Sequence, residues 1–507
     1  MQKKSAMIDN LSIRPLVKDD ATMLFHWRND PFIVSLGSLQ RQVTWEEHSA
    51  WVSKVLERNR TRVFIIEKGH QSVGQIRFDI HDNHTAVASI YLLQPHTGKG
   101  LGHKAIRLGT EHITSQYDID KVSAYVKYDN AGSKRSFEKA GYLYEEDEQI
   151  HGSLHYRLSY YKIIPHNRLT FDKDETTIVA QAVAKGYWAG GEYVSMLEKK
   201  ITEVAGTDYA VAVSSGLSAI RLALLSLCLK NDDEVIIPGY CCVALPNAVM
   251  AVGAKPVLAD IKKDSLNIDP ASVKKLISKK TRAIIAVHTF GVPVDIVSLK
   301  EYGLPIIEDC AHCIGMEVAG KKLGSWGDLA ITSFYSTKLV GGGEGGMIMT
   351  NNEKSAAFVR KWRDYSDQPP HPMRMNDKMN NLEAALSCAQ LDRLSSMLSS
   401  RQKVAEKYLE KLAPHASTFT LPDRFLFRAW YRFPLWLNQM KPDIVIAELK
   451  KKGIYTDMPV YDWTTQTRFI PVSEMAYNHI LSIPCYPTLN EREQDRVISA
   501  VEQVLHY

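Results

Sequence analysis

The sequence predicts two domains in series. An α+β domain with a mainly antiparallel sheet occupies about residues 1–165, and an α/β domain with a mostly parallel sheet occupies about residues 172–507. Three observations lead there. The chain has 507 residues, which at roughly 100–200 residues per domain calls for two to four domains. Strand-like apolar runs follow one another closely in the first part. In the second part each run is separated from the next by a helical pattern, the rhythm of a parallel sheet with helices on both faces. Between these parts, LSYYKIIPHNRLTFD (158–172) starts strand-like and then loses any helical period at Pro165, His166 and Asn167. That marks a short linker at about 163–172.

In the first domain LSIRP (11–15) is a strand, and 19–27 carries a helical pattern. TRVFIIEKG is an apolar strand that turns at Gly69, SVGQIRFDIH alternates as the next strand, and TAVASIYLL (85–93) is a third. After a glycine loop, KAIRLGTEHITSQY reads as a helix, KVSAYVKYDN as a strand and AGSKRSFEKAGY as a helix ended by Gly141. The second domain begins with an amphipathic helix at 192–205 and a short buried strand, YAVAVSS. Helices at 217–229, 244–254, 271–280 and 298–303 then alternate with the strands DEVIIP, KPVLADI, TRAIIAVH and LPIIEDC. The texture changes near residue 380. The large part thus spans about 192–380, a long helical stretch covers 382–412, and a smaller α+β part at about 400–507 ends in the helix EREQDRVISAVEQVL.

Composition excludes several function classes. There are 62 basic and 57 acidic residues, a net charge of +5, with 23% charged and 45% hydrophobic residues. These are ordinary globular values, and no Lys/Arg run of the kind that grips nucleic acid is present. No apolar run reaches the roughly 18 residues that span a membrane. The start, MQKKSAMIDNLSIRP, has lysines without an apolar core behind them, so no secretory leader and a cytoplasmic protein are expected. All 7 cysteines lie beyond residue 227, and their odd number and irregular spacing do not suggest a disulfide framework. Cys310 and Cys313 form a lone C-x-x-C; buried reduced thiols fit it better than a metal or redox site, because no second pair completes a four-ligand set.

Gly98-Lys99-Gly100-Leu101-Gly102 lies between a strand and a helix. Glycines there let the backbone approach a ligand and turn amides toward an anion at a helix N-terminus. It is neither a Walker loop nor a dinucleotide fingerprint. With IRPL (13–16), WRND (27–30), SIYLL (89–93), TGKGLG (97–102) and DNAGSKRSFEKAGY (129–142), the first domain resembles the GNAT family of acyl-CoA-dependent N-acetyltransferases. WRND and GQIRFD are similar to members that acetylate amino groups on nucleotide-linked sugars. The resemblance implies that amides around Lys99, Gly100, Gly102 and His103 hold the pyrophosphate of acetyl-CoA and that Asn130 and Ser133 line the cofactor arm. Two positions depart from the pattern. Thr97 stands where Arg or Gln is usual, and Phe137 replaces the Tyr that returns a proton to the thiolate. A phenyl ring cannot do acid catalysis, so Tyr128 or Tyr142 serves instead, or the thiolate leaves unaided. His81 and His84 are either bases for the amine or surface turn histidines.

The second domain carries a stronger constellation. SSGLSAI (214–220) ends a buried strand and starts a helix, IIEDCAHCIG ends a strand with Asp309, and SFYSTKLVGGGEGG places Lys338 on a loop. A carboxylate, a lysine and a phosphate cradle are what pyridoxal phosphate chemistry needs: the lysine holds the cofactor as a Schiff base and the carboxylate keeps the pyridine nitrogen protonated. With VSSG, DEVIIP, GAKPVLADI, AVHTFGVPVD and NDKMNNLEAALSCAQLDRL in order, residues 172–507 resemble the DegT/DnrJ/EryC1 sugar aminotransferases, enzymes of the aspartate-aminotransferase fold, usually dimers.

By that resemblance Lys338 bonds the cofactor and shuttles the proton, and Asp309 pairs with the pyridine nitrogen. Ser215, Gly216 and Ser333 hold the phosphate, with Leu217 beside them in place of the family's Thr. Asn376 reaches the phosphate of the partner subunit, which implies a homodimer through this domain. His312 replaces the family's Gln near the ring hydroxyl, and the stacking aromatic falls near Cys242, so Tyr240 or His312 supplies the stacking. Relatives with histidine at position 338 are dehydratases; lysine there implies a transaminase. YDWTTQTRF (461–469) is either a sugar-nucleotide contact or a packed aromatic loop.

Together the two resemblances imply consecutive steps. L-glutamate donates an amino group to a keto-deoxy nucleotide sugar, first choice a 4-keto-6-deoxy sugar and second a 3-keto sugar, and acetyl-CoA then acylates the amine for surface polysaccharide such as lipopolysaccharide O-antigen. The alternatives are an acetyltransferase that acts on another enzyme's amine, and a non-catalytic regulator on the same scaffold.

Overall fold

The computed structural model describes residues 7–8, 10–36, 41–57, 60–150, 152–369, 371–424, 426–463 and 469–505. Two compact units divide the chain: Met1–Ile163 with Lys451–Gly453, and Ile164–Lys450 with Ile454–Tyr507.

The first unit is built on eight strands: β1 (Met7–Ile8), β2 (Leu11–Pro15), β3 (Thr61–Lys68), β4 (Gln71–Ile80), β5 (Thr85–Leu92), β6 (Lys121–Lys127), β7 (Leu143–Ile150) and β8 (Ser153–Tyr161). Their order is β1-β2-β3-β4-β5-β6-β8-β7, and every pairing is antiparallel except β5 with β6. That exception positions the site. β5 and β6 pair only at Thr85↔Lys121, Ala86↔Val122 and Val87↔Ser123. Beyond Val87 they part, which leaves the last half of β5 without a ladder on that side. Strand alternation puts Ile76, Phe78, Ala86, Ala88 and Leu92 on one face, where they bury against Ile106 and Ile113 of the helix Leu101–Gln116. The other face is covered by Ala21–Arg28, Pro31–Leu36 and Trp45–Glu57, of which the sequence pattern showed only the first. The strand β7 was also hidden, because LYEEDEQI is an edge strand whose residues are mostly exposed and so carries little apolar signal, and of β8 only the end at 158–161 read as strand-like.

The second unit holds a seven-stranded sheet: β9 (Tyr209–Val213), β10 (Glu234–Pro238), β11 (Lys255–Ala259), β12 (Thr281–Val287), β13 (Ile306–Asp309), β16 (Leu329–Ser333) and β17 (Gly346–Thr350), with a small hairpin β14 (Glu317–Val318) and β15 (Lys321–Lys322) apart. The order is β11-β10-β12-β13-β16-β17-β9. Pairings are parallel from β11 to β16, and β17 runs antiparallel to both its neighbours. Both faces are buried, so β9 sends Val211 and Val213 to one core and Ala210 and Ala212 to the other. The strands β18 (Phe419–Thr420), β19 (Phe433–Leu437) and β20 (Ile480–Ile483) form a small antiparallel sheet over Val404, Tyr408, Val497 and Val501 of the flanking helices.

Two readings need correction. The stretch 382–412 is not one helix but two, Asn381–Asp392 and Leu394–Leu412, hinged at Arg393. The segment expected as a linker is packed into the second unit. His166 hydrogen-bonds Ser482, Arg168 pairs with Glu493 at 2.6 Å, and Gln390 Nε2 donates to the Thr170 carbonyl at 2.7 Å. The helix Lys173–Lys185 follows, opened by Asp172 and Glu175 in a reciprocal capping box.

Candidate active sites

In the second unit, parallel strands deliver their C-terminal ends to one edge of the sheet, where ligand sites form in such folds. Strand β9 ends at Val213, and Ser215 caps the helix Gly216–Ser226 by accepting the Ser218 N–H at 3.1 Å. Ser214 Oγ reaches Ser218 Oγ at 3.0 Å. Ser333, at the end of β16, abuts this turn so closely that a Cβ on Gly216 would lie 2.8 Å from the Ser333 Cβ. Hydroxyls of Ser214, Ser215, Ser218 and Ser333 and the first amides of a helix thus make an anion cradle that only glycine at 216 allows. Leu217 is exposed at its rim.

Asp309 ends β13. It is buried, its Oδ1 accepts the Ala311 N–H at 3.0 Å, and burial pushes its pKa up despite the Lys338 charge. A carboxylate in this state is set to receive a cationic donor. Lys338 is half-buried, and its Nζ lies 3.0 Å from His312 Nε2. His312 Nδ1 accepts the Phe290 N–H at 3.3 Å. Burial, with the charges of Lys338 and Arg432, holds this imidazole well below its usual range. The ring thus faces Nζ through Nε2, while its Nδ1 is taken by the Phe290 N–H. His312 also stacks on Tyr431, with centroids 4.2 Å apart and planes 11° apart. A cavity of about 370 Å³ opens beside Lys338, bounded by Asn167, Arg168, Thr337 and Arg401.

These residues fit pyridoxal phosphate: an amide-and-hydroxyl cradle for the phosphate, a buried acid for the pyridine nitrogen and a lysine between them. Tyr240 is less available. Its ring meets Phe290 and Tyr477 edge-on in the core. Asn376 is exposed beside Asp377, which pairs with Arg221 and accepts the Ser214 N–H at 2.7 Å. This holds the Asn376 segment against the cradle. Trp463 Nε1 donates to the Cys241 carbonyl at 2.8 Å and Tyr461 bonds Asp457; residues 464–468 of the aromatic loop lie outside the described residues.

The C-x-x-C motif lies under this site. Ligand atoms of His288, Cys310 and Cys313 fall within 4.8 Å of one another. Both ring nitrogens of His288 are taken, however. Nδ1 accepts the Val294 N–H at 3.0 Å and Nε2 faces Glu308 at 3.2 Å. The cysteines are free and buried, and burial raises both thiols, as for structural thiols.

In the first unit, Gly98 and Gly100 adopt left-handed φ of +70° and +72°, and Gly100 caps the helix Leu101–Gln116 without any side-chain cap. Amides at its start, including that of His103, are left for an anion. Lys99 is exposed there. Gly102 abuts Ser136, which draws in the helix Ala131–Lys139. Asn130 caps that helix by accepting the Ser133 N–H at 3.0 Å. Phe137 is buried edge-on against Tyr142. Of the replacement acids, Tyr142 is fully buried with its hydroxyl on Thr110 at 2.7 Å, and Tyr128 is exposed and stacked on Tyr156. Neither His81 nor His84 lines the cleft described next. His84 sits on a left-handed turn against Asp118.

On the covered face of β4 and β5 lies a cleft of about 480 Å³, lined by Arg28, His48, Trp51, Gln75, Arg77 and Tyr91 among others. Gln75 Oε1 and Arg77 Nε are buried there without a hydrogen-bond partner, and Arg28 is half-buried without a carboxylate partner among the described residues. Sequence reasoning missed these as a group. WRND and GQIRFD carry Arg28, Gln75 and Arg77, but only the fold faces them across one cleft.

Comparison with known proteins agrees with this division. The model of the DegT/DnrJ/EryC1/StrS aminotransferase family matches residues 170–502, and that of an acetyltransferase (GNAT) domain matches residues 10–143. GDP-perosamine synthase of Vibrio cholerae is 29% identical over 368 residues, 67% of this chain and 98% of its own. The structure of S. venezuelae DesV, in complex with a ketimine intermediate, is 29% identical with a TM-score of 0.61 over 66% of this chain and 94% of its own. That of NtdA from Bacillus subtilis, with bound cofactor PMP, is 27% identical with a TM-score of 0.61 over 66% and 83%.

Proposed function

The chain belongs, through residues 170–502, to the DegT/DnrJ/EryC1/StrS aminotransferase family and carries a GNAT acetyltransferase domain at residues 10–143, and on that premise we propose that it carries out two consecutive steps. L-glutamate donates an amino group to a keto-deoxy nucleotide sugar, with C4 of a 4-keto-6-deoxy sugar as the first choice of position. Acetyl-CoA then acylates the new amine in the first unit. The product suits surface polysaccharide such as O-antigen, made in the cytoplasm by a homodimer joined through the second unit. The observation that carries the first step is the placement of Lys338, against His312 and within the field of buried Asp309, beside the Ser215–Gly216–Ser333 cradle.

Bound there, pyridoxal phosphate supplies an electrophilic carbon for the amino group and a ring that takes up the electrons freed at the substrate carbon. Ser215, Gly216 and Ser333 hold its phosphate. Asp309 keeps a proton on the ring nitrogen. Lys338 moves the proton at the substrate carbon, and His312 positions Nζ through its Nε2 contact. Exposed Leu217, Tyr335 and Met375, close to Asn376, give a partner subunit an apolar surface to cover. In the first unit the splay of β5 from β6 and the free amides after Gly98 suit acetyl-CoA. The cleft beyond them suits the acceptor amine: Gln75 Oε1 is an acceptor for N–H, and Arg28 is a cation for the acceptor's phosphates.

The test is to incubate the protein with a panel of keto-sugar nucleotides, glutamate and acetyl-CoA, and to read the products by mass. An amino sugar that the same chain then acetylates supports the relay. An amino sugar left unacetylated sinks it and assigns the acetyltransferase to another enzyme's amine.

A further inference from the structure

One charged side chain beside Lys338 has no carboxylate to balance it among the described residues. Arg432 is half-buried just before β19. Its guanidinium carbon lies 4.7 Å from the centre of the Tyr431 ring. Its one hydrogen bond among the described residues is a long contact of 3.5 Å to the Tyr431 hydroxyl, and no described carboxylate pairs with it. Lys338 Nζ lies 5.0 Å from the centre of the same ring. The neighbouring cation, Arg401, is already spent, since its Nη1 donates to the carbonyls of Trp430, Tyr431 and Cys485. The acid of the site, Asp309, is the partner expected for the cofactor ring. Two histidines near Arg432, His166 and His312, are held neutral by burial and by its charge. Burial alone would raise the Tyr431 phenol, but the charges of Lys338 and Arg432 bring it down to about 8. The surroundings of Arg432 are thus shaped by an excess of positive charge. A half-buried cation without a counter-charge is costly, and it is relieved when a ligand brings one.

We propose that Arg432 binds the α-carboxylate of the amino-acid donor. This rests on the aminotransferase reading above and names the donor site within it. In an α-amino acid the carboxylate is attached to the carbon that bears the amine, the carbon whose proton Lys338 moves. Its anchor must therefore stand close to Nζ, and Arg432 shares a ring with Nζ. In a nucleotide sugar the diphosphate is separated from the keto carbon by part of the sugar ring and its glycosidic oxygen. An anchor for that group belongs farther out. The planar guanidinium fork also matches a carboxylate through two parallel hydrogen bonds, which an ammonium cannot supply.

The test uses the full-length, cofactor-loaded protein with Arg432→Met and Arg432→Lys. Binding of the unreactive dicarboxylate glutarate is read by calorimetry. The donor half-reaction with L-glutamate and the acceptor half-reaction of the pyridoxamine-phosphate-loaded protein with a keto-sugar nucleotide are read by absorbance. Losing a charge-assisted pair predicts a roughly 10- to 100-fold rise in the glutarate Kd and in half-saturation by L-glutamate for Arg432→Met. Arg432→Lys, which keeps the charge beside His312 and Tyr431, is expected to recover part of it, with a smaller change in the acceptor half-reaction than in the donor half-reaction for both variants. Unchanged glutarate binding, or an equal loss in both half-reactions, overturns the proposal. If the wild type rejects L-glutamate but accepts another α-amino acid, the glutamate assignment fails while the Arg432 variants are scored with that donor. If it accepts none, the aminotransferase reading fails and the glutarate titration still decides whether Arg432 binds a carboxylate.

Discussion

Gly216→Ala separates a phosphate cradle from an ordinary strand–helix turn. Gly216 has no left-handed φ, so the added methyl strains nothing in its own backbone. It would instead meet the Ser333 Cβ at 2.8 Å and its Oγ at 3.1 Å, inside the roughly 3.5–4.0 Å at which carbons pack. Ser333 cannot step back freely, because it pairs with Gly346, which itself abuts the Ser215 carbonyl. The helix start must move, and it carries the cradle's amides. Overpacking of this kind costs about 1–3 kcal/mol. A gain of about 1 kcal/mol from replacing glycine in a helix offsets part of that in the empty protein. Its thermal midpoint should therefore change little. Pyridoxal phosphate affinity, which depends on the displaced amides and on Ser333, should fall roughly 5- to 150-fold. Titration of the visible cofactor band measures the affinity and differential scanning fluorimetry the midpoint. Wild-type affinity in Gly216→Ala would refute the assignment of this turn as the phosphate site.

Three further outcomes are expected. Lys338→Ala should abolish the visible cofactor band and amine formation while acetylation of a supplied amino-sugar nucleotide persists; retained amine formation counts against Lys338 as the cofactor lysine. Arg28→Met should raise the KM for the acceptor amine roughly tenfold or more, as for a lost hydrogen bond to a charged group, with the KM for acetyl-CoA unchanged; a rise in the acetyl-CoA KM alone would move Arg28 to the other substrate. His166 is held down to about 3 by burial and by Arg432, so the unfolded chain binds the proton more readily than the folded one. Its contribution is complete above pH 6.5 and is lost as pH falls from there toward 3. Denaturant midpoints should therefore fall more steeply on acidification in the wild type than in His166→Gln, and parallel curves would show that the ring titrates normally.

The second unit was legible because its signals are local. β-branched runs such as EVIIP and AIIAV alternate with helices, Asp309 and Ser215 sit at strand ends, and Lys338 lies on the loop after β16, each within a short motif. What escaped was set by contact rather than by period. β16 and β17 lie beside the glycine loop, where no alternation frames them. Arg393 divides what looked like one helix although its neighbours are good helix formers. The Asp172–Glu175 capping box was available as a helix signal, but the adjoining Pro165–Asn167 break suggested a loop. Tyr431 and Arg432 follow no motif. They reach Lys338 only because β19 and β20 fold back beside it. Arg28 and Gln75 likewise meet only through the packing of helices onto β4.

The distribution of unpaired cations sharpens what a net charge of +5 means. Every ligand proposed for this chain is an anion, yet the 62 basic residues are nearly balanced by 57 acidic ones. Each anion is met by a few fixed groups instead: amides and hydroxyls for the phosphates, Arg432 for a carboxylate and Arg28 for the acceptor. Half-buried cations of this kind are screened much less by salt than exposed ones. Long-range attraction by a basic surface would weaken steeply with ionic strength, whereas contact by Arg432 in a desolvated site would not. Raising the salt concentration tenfold should therefore leave half-saturation by L-glutamate nearly constant, measured in the donor half-reaction. A steep, power-law loss of donor affinity would mean that the carboxylate is drawn by surface charge and that Arg432 is not its anchor.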